Sequence, residues 1–525
     1  MALPLENAKT DDRPKKPVRL LFNSLEANEI IFAVVGPVGS GTSYVANALN
    51  GLVASKLGSP NIVRIKASEI IAEYLGKEAV DAIPRGNKLA RAIKFQDAGD
   101  DIRRGDEARL AAMIAGRIKS ERSRIDKTVH HISSDAKDKA PPTVYIIDSL
   151  KHPTEVDLLR GIYREAFCLI GVVCEEKTRK ARLLEEKCNN SSPDEVAHFM
   201  QRDENEDLDY GQKVADTFHL ADFFVDNTPP RFTEDGADNP DWIVNEKLGR
   251  LIDILSGTKI IRPESAETGM FHAKGAQLKS SCLSRQVGAA LMDARGTVVA
   301  TGTNEVPMAG GGLYGAGIGS LGHDSDDEPD HRCFKINKNC SNTRVQHEIM
   351  DEIVESIPEL KAAKDQNQIR KKLKSSPLGR LLEFSRAVHA EMDALLTAAR
   401  EGNSTVGTKL FVTTYSCHYC ARHIVTAGVE EVQYIEPYPK SRATELHKDA
   451  IQVVAANWQS PSIKRDSKVL FRPFTGVAPR LYRRAFIKDR KLKNNKGDME
   501  IGQPLWASGL LRESYTTIEN YLEDI

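Results

Sequence analysis

The sequence of 525 residues carries no excess of charge of either sign: 73 Lys and Arg stand against 74 Asp and Glu, a formal net charge of −1. Without a global positive field, a long polyanion is a poor partner, and small substrates suit the chain better. Long apolar runs are missing too. Nothing approaches the ~18 residues of a membrane span, and the first residues lack an apolar signal core, so a soluble, cytoplasmic chain with no membrane partner is expected. Cysteine is scarce. Eight residues at irregular spacing do not make a disulfide framework and fit a reducing compartment. Aromatic residues make up 6%, little for the stacking channel that binds single-stranded nucleic acid. No internal repeat is present.

Length alone suggests two to four domains, and two fit best. Residues 1–24, with Lys9, Asp11, Asp12, Arg13 and Lys15, read as a polar tail. Residues 25–255 alternate strands and helices, which implies a doubly wound α/β sheet. Ser256-Gly257-Thr258 breaks the pattern, and residues 256–525 form the second unit.

A lysine is also absent where it would matter. Ile30 to Val35 reads as a buried strand, and Gly36-Pro37-Val38-Gly39-Ser40-Gly41-Thr42-Ser43 follows it before a helix. Glycines at 36, 39 and 41 let backbone N–H groups wrap a phosphate, with Ser43 at the hydroxyl position that holds Mg²⁺. Thr42 occupies the place of the lysine that reaches the β/γ oxygens, so charge stabilisation for phosphoryl transfer is lacking. Val144 to Asp148 reads as a strand ending in an acid, the arrangement that faces Mg²⁺. An ordinary glycine turn is the other reading. The stretch resembles small P-loop kinases such as the dephospho-CoA and nucleoside monophosphate kinases, which implies a nucleotide-binding or regulatory module.

The strongest chemistry lies in the second unit. His389-Ala390-Glu391 and Cys417-His418-Tyr419-Cys420 supply three zinc ligands and one free carboxylate. One imidazole and two thiolates leave a tetrahedral position open on Zn²⁺, the mark of a catalytic rather than a structural site. Zinc lowers the pKa of a bound water from 15.7 to about 7, and Glu391 is placed to move protons. Helical spacing from Arg386 to Leu396 puts His389 and Glu391 at the opening of a helix. Leu410 to Tyr415 reads as a strand, and the cysteines then open another helix, where the macrodipole favours thiolate. Two buried cysteines and a core histidine are the bland alternative. The H-x-E…C-x-x-C order resembles the zinc-dependent cytidine and adenine deaminases, although Ser416 stands where that pattern has proline.

Ser284 to Met292, the turn Asp293-Ala294-Arg295-Gly296 and Val298 to Pro307 read as a β-hairpin. Its R-Q-V-G-A and G-x-N-x-x-P elements resemble the first hairpin of deoxycytidylate deaminases. That resemblance implies that Asn304 holds the sugar or pyrimidine and that Arg285 lies near the active site. A turn asparagine and a solvated arginine are the alternatives. Both units together, with Gly310 to Gly315, Glu436 to Ser441 and Pro473 to Arg480, resemble the two-domain dCTP/dCMP deaminases of bacterial defence against phages. The resemblance implies an α/β/α deaminase fold for 256–525, conversion of free deoxycytidine nucleotides to deoxyuridine forms, depletion of the dCTP pool, and a homo-oligomer.

Lys440, Arg472 and Arg480 are candidate counter-charges for substrate phosphates. His323, His331, Cys333, Cys340 and His347 offer ligand types for a second zinc, but their spacing does not decide it. Gly310 to Asp330 reads as a loop able to lid the pocket. Lys488, Arg490, Lys491, Lys493 and Lys496 form a basic run, either a solvated loop or a contact for a regulatory RNA. Two other functions stay open: a polynucleotide cytidine or adenosine deaminase, and a non-catalytic nucleotide-sensing regulator.

Overall fold

In the N-terminal half, five strands form because short β-branched and aromatic runs alternate with helices: β1 (Glu29–Val35), β2 (Asn61–Lys66), β3 (Thr143–Asp148), β4 (Phe167–Val173) and β5 (Phe223–Asp226). They are all parallel, in the order β5-β4-β1-β3-β2. Every residue of β1, β3 and β4 is buried, as a parallel sheet covered on both faces requires. Alternation along β1 then divides the core. Ile30, Phe32 and Val34 face Val45, Leu49 and Val53 of helix α1 (Thr42–Lys56) and Leu248, Leu251 and Ile252 of α2 (Val244–Ser256). Ile31, Ala33 and Val35 face Ile102, Leu110, Ile114 and Leu159 on the other side. Each such side chain contributes about 1.5–3 kcal/mol by leaving water. Helix α2 ends where expected, with Gly257 in the left-handed region at φ 62°.

This computed structural model describes residues 25–83, 88–132, 141–187, 191–204, 206, 208–315, 331–336, 338–436, 441–455, 457–464, 466–488, 492–501 and 510–522. The polar tail 1–24, His323, the acidic loop, Lys440, Arg490 and Lys491 lie outside them. Among the described residues, no helix is long and apolar enough to cross a membrane.

The second half builds a mixed sheet. Helix α3 (Ser265–Gln277) precedes the hairpin β6 (Gly288–Met292) and β7 (Val298–Thr303). Next come α4 (Ala390–Arg400), β8 (Lys409–Thr414), α5 (His418–Thr426), β9 (Glu431–Glu436), β10 (Ile451–Gln452) and β11 (Val469–Pro473). The order is β10-β11-β9-β8-β6-β7, antiparallel among β7, β6 and β8 and parallel from β8 onward. Gly302 lets α4 lie directly on β7: a Cβ there would stand 2.1 Å from the Ala390 carbonyl oxygen and 2.4 Å from the Ala394 nitrogen.

The halves share one core and the chain's own return. Met270, Ala290 and Phe411 of the second half and Phe224 of the first belong to one apolar cluster, with the Phe224 and Phe474 rings 6.1 Å apart. After β11, strand β12 (Gly476–Val477) adds to β5 as an antiparallel sixth strand of the first sheet. Helices α6 (Pro479–Phe486) and α7 (Arg512–Tyr521) follow it. Helix α7 buries Tyr515 and Glu519 in the first half. Glu519 accepts from Arg122 and from the Tyr163 hydroxyl at 2.7 Å, and Arg122 also donates to Glu29 at 2.9 Å. Removing one partner would strand a buried charge.

Candidate functional site

Two helix N-termini meet at one point. His389 precedes α4 with extended backbone at φ −75°, ψ 152°, and Cys417 precedes α5 at φ −71°, ψ 164°. The first turn of α4 is tied to the end of the hairpin: Val388 N–H donates to the Glu305 carbonyl at 2.9 Å, and Thr303 N–H to Asp393 Oδ2 at 3.0 Å. His389 Nδ1 then lies 3.3 Å from both the Cys417 and Cys420 Sγ atoms, and all three ligand atoms fall within 4.8 Å of one another. Zn–S and Zn–N bonds at a tetrahedral angle set N and S roughly 3.5 Å apart. The donor set and its spacing therefore fit zinc. Among the described residues this is the one such group; His331, Cys333, Cys340 and His347 do not form a second.

Electrostatics inside the cluster match its chemistry. A hydrogen bond from the Cys420 thiol, with His389 adding to it, holds Cys417 down to about 4 despite burial. His389 is pushed up to about 9, first by its hydrogen bond to Cys417. Cys420 is raised by its bond to Cys417 and by burial. Glu391, 4% exposed, has its carboxyl raised by burial and then by the Cys417 charge, the direction that lets a carboxyl both take and give a proton near neutrality.

A cavity of about 280 Å³ opens onto this cluster and is lined by His389, Glu391 and Cys417 together with Asn304 and Arg285. Sequence reasoning thus picked five residues that share one cavity. Asn304 is tied at both ends, accepting from Val287 N–H and donating to the Arg285 carbonyl, each at 2.7 Å, so it braces the hairpin where it borders the cavity. Arg285 pairs with Glu436. Arg480 is not in the lining; it sits on α6, within electrostatic reach of Asp222 in the first half. Arg472 pairs with Glu431 at 2.8 Å. Among the lining residues not singled out from sequence are Tyr415, Glu305 and Arg386. Glu305 holds Ser281 through its backbone N–H at 2.9 Å, and Arg386 donates to the His331 carbonyl at 2.8 Å. Adjacency to Asn304 and to His389 was their only signal.

The glycine loop of the first half has the expected setting. It joins β1 to α1, with Gly39 at φ 82° and Gly41 at φ 86°, and Thr42 and Ser43 begin the helix. At Gly36 a Cβ would meet Ser40 Oγ at 2.6 Å. Asp148 ends β3 as expected but is bound to Arg64 at 2.6 Å.

Comparison with known proteins falls on the same stretch. Residues 263–436 match the family model described as "Cytidine and deoxycytidylate deaminase zinc-binding region". ComE operon protein 2 of Bacillus subtilis (strain 168) is 41% identical over 54 residues, 10% of this chain and 29% of that protein. The deoxycytidylate deaminase of Enterobacteria phage T2 is 40% identical over 55 residues, again 10% and 29%. The chain therefore spans under a third of the length of these relatives. A crystal structure of dCMP deaminase from the cyanophage S-TIM5 aligns with 40% of this chain and 99% of its own at 17% identity and a TM-score of 0.21, too loose a superposition to carry weight. Both halves of the metal-binding cluster, and the carboxylate beside it, thus lie inside the segment that matches the zinc-binding region of the cytidine and deoxycytidylate deaminases.

Proposed function

We propose that this chain is a zinc-dependent hydrolase that deaminates free deoxycytidine nucleotides, dCTP, dCMP or both, to the deoxyuridine forms and ammonia. The observation that carries the reading is Glu391, a buried carboxyl that borders the same cavity as a three-ligand cluster without belonging to it. His389 Nδ1, Cys417 Sγ and Cys420 Sγ would hold the metal. Zinc there supplies Lewis acidity that makes water nucleophilic at neutral pH. Glu391 takes the proton from the attacking water and delivers one to the ring nitrogen beside the amino-bearing carbon. The same carboxyl then serves the leaving amine. Overall the C–NH₂ bond breaks and a C=O bond forms: the water oxygen becomes the carbonyl oxygen, one of its protons stays on the ring nitrogen, and the other leaves with the amino group as ammonia.

The substrate class is supported by the activity for which the phage relative is named and by the arginines in the cavity wall. Arg285 and Arg386 line it, and guanidinium forks match phosphate oxygens. Asn304 fixes the hairpin edge on which the sugar would rest. Lys440 and Arg480 remain candidates for a triphosphate tail. By the resemblance of the whole chain, deamination would drain the dCTP pool in antiviral defence, within the cytoplasm and in a homo-oligomer. The glycine loop with Asp148 makes the first half a nucleotide-binding module, with Mg²⁺ as its companion ion.

Purified protein incubated with dCTP, dCMP, CTP and a cytidine-containing oligonucleotide, with ammonia and uracil products measured, tests the reading. Turnover of the free deoxycytidine nucleotides is expected. Turnover of the oligonucleotide alone would overturn it in favour of a polynucleotide deaminase, and no turnover with zinc bound would leave a sensing role.

A further inference from the structure

The glycine loop lacks its own cation, yet an ammonium stands at its mouth. Lys151 follows Asp148 by three residues, and its Nζ donates to the carbonyl of Gly36, the first loop glycine, at 3.3 Å. The same Nζ donates to Asp203 Oδ1 at 2.8 Å, while the other oxygen, Oδ2, accepts the loop N–H of Val38 at 2.7 Å. One loop amide and one lysine thus converge on two oxygens of a single anion. That is the donor set a phosphate takes from a glycine loop. Asp203 is only 2% exposed, so its charge rests on these partners.

Two further observations point to a ligand. Arg179, 5% exposed, lies against the loop, where its carbonyl oxygen would be 2.8 Å from a Cβ on Gly39 and its guanidinium reaches the Val38 carbonyl. Its Nε is buried without a partner, as is Ser40 Oγ inside the loop. A cationic donor left unsatisfied beside a filled anion position costs free energy unless a larger anion completes it.

The helix that brings Asp203 packs outside the two main cores, tied through Arg202 to Asp97 and Asp100 at 2.7 Å each. Pro193–Glu204 packs through Val196, Phe199 and Met200 into a small cluster with Leu89 and Leu183, against which Val38 rests. That cluster is distinct from those on either face of the sheet, so the helix can leave the loop without unmaking the sheet.

We propose that loop 36–41 and Lys151 form a binding site for the phosphates of a nucleoside polyphosphate, with Lys151 in place of the missing loop lysine, and that Asp203 is an internal anion which the bound phosphate replaces. The proposal rests on the reading of the first half as nucleotide-binding. Binding releases the helix Pro193–Glu204 from the loop, coupling occupancy to its position.

The test uses the full chain and Mg-ATP, which has no cytosine for the deaminase cavity. Calorimetric titration of wild type, Asp203→Asn and the double variant Asp203→Asn/Lys151→Met is expected to show at least about tenfold tighter binding in the first variant, because the competing conformation is removed. The double variant should lose that gain. Equal affinity in all three would sink the roles of Asp203 and Lys151 while leaving nucleotide binding in place; no binding in any would sink both. Should Asp203→Asn fail to fold, hydrogen exchange on wild type decides instead. Faster exchange across residues 193–204 with saturating Mg-ATP supports the proposal, and unchanged exchange there overturns it.

Discussion

The cluster at His389 and the loop at Gly36 are built on the same plan and end in opposite states. Each sets polar groups at the start of a helix, where backbone N–H groups and the macrodipole favour negative charge. At the first, His389 lies 3.3 Å from each of the Cys417 and Cys420 sulfurs, no cation of the chain stands among them in the described residues, and a metal ion would complete them. At the second, Asp203 and Lys151 from elsewhere in the chain answer the loop. The difference teaches that a helix-terminal cradle is available to a ligand only where the fold supplies no counter-charge of its own. On the proposals above, the same chain holds one site ready for a metal and another that must be vacated first.

The sharpest break in that comparison is Cys417→Ala. Zinc content by elemental analysis should fall from near one per chain to near zero, with ammonia release at background; a variant that keeps both would remove the metal from the mechanism. Next in size is Glu391→Gln, expected to keep its zinc and lose about 10²- to 10⁴-fold in turnover. A drop smaller than tenfold would move the proton-transfer role elsewhere.

Zinc uptake itself should carry a proton signature. At pH 7, His389, pushed up to about 9, and Cys420, raised, each hold a proton that must leave before they ligate, whereas Cys417, held down to about 4, is already thiolate. Calorimetry of the metal-free chain in buffers of different ionisation enthalpy should therefore report release of about two protons per zinc, falling as pH rises through the His389 value. Release of none would mean that the cluster does not ligate as a set.

Gly302→Ala probes the seat of α4. The added methyl meets the Ala390 and Ala394 backbone, and a loss of about 1–3 kcal/mol in denaturant titration is expected, with weaker zinc retention because His389 heads that helix. Stability and zinc affinity equal to wild type would show that α4 is not positioned through β7. The smallest effect belongs to Arg285→Ala. KM for dCTP should rise roughly several-fold while turnover of the phosphate-free nucleoside stays level, in keeping with one charge-assisted contact; an equal change for both would deny Arg285 the phosphate.

Much of this was legible because it is short-range. The H-x-E and C-x-x-C groups each span four residues or fewer, and the strand and helix that flank them are written in local periodicity. β1, the glycine loop and α1 were legible for the same reason, as was the hairpin from its Asp-Ala-Arg-Gly turn. Phosphate contacts were harder. Arg480 was placed with the substrate on charge and on the resemblance; it sits on α6 outside the cavity lining, within electrostatic reach of both Asp222 and Lys274. Glu305 and Arg386 line the cavity because residues 305 and 388 are bridged, a pairing that no local pattern announces. Asp203 reaches Val38 across 165 positions.

What the amino-acid order determined by itself is the chemistry: which side chains can bind a metal, which can carry a proton, and which glycine turn can wrap a phosphate, since these depend on residue type and on spacings of a few bonds. What only the tertiary structure decided is occupancy and address. Whether a charge meets solvent, substrate or another charge of the same chain depends on contacts closed over hundreds of residues, and the free energy of each contact exists only once the intervening chain has packed.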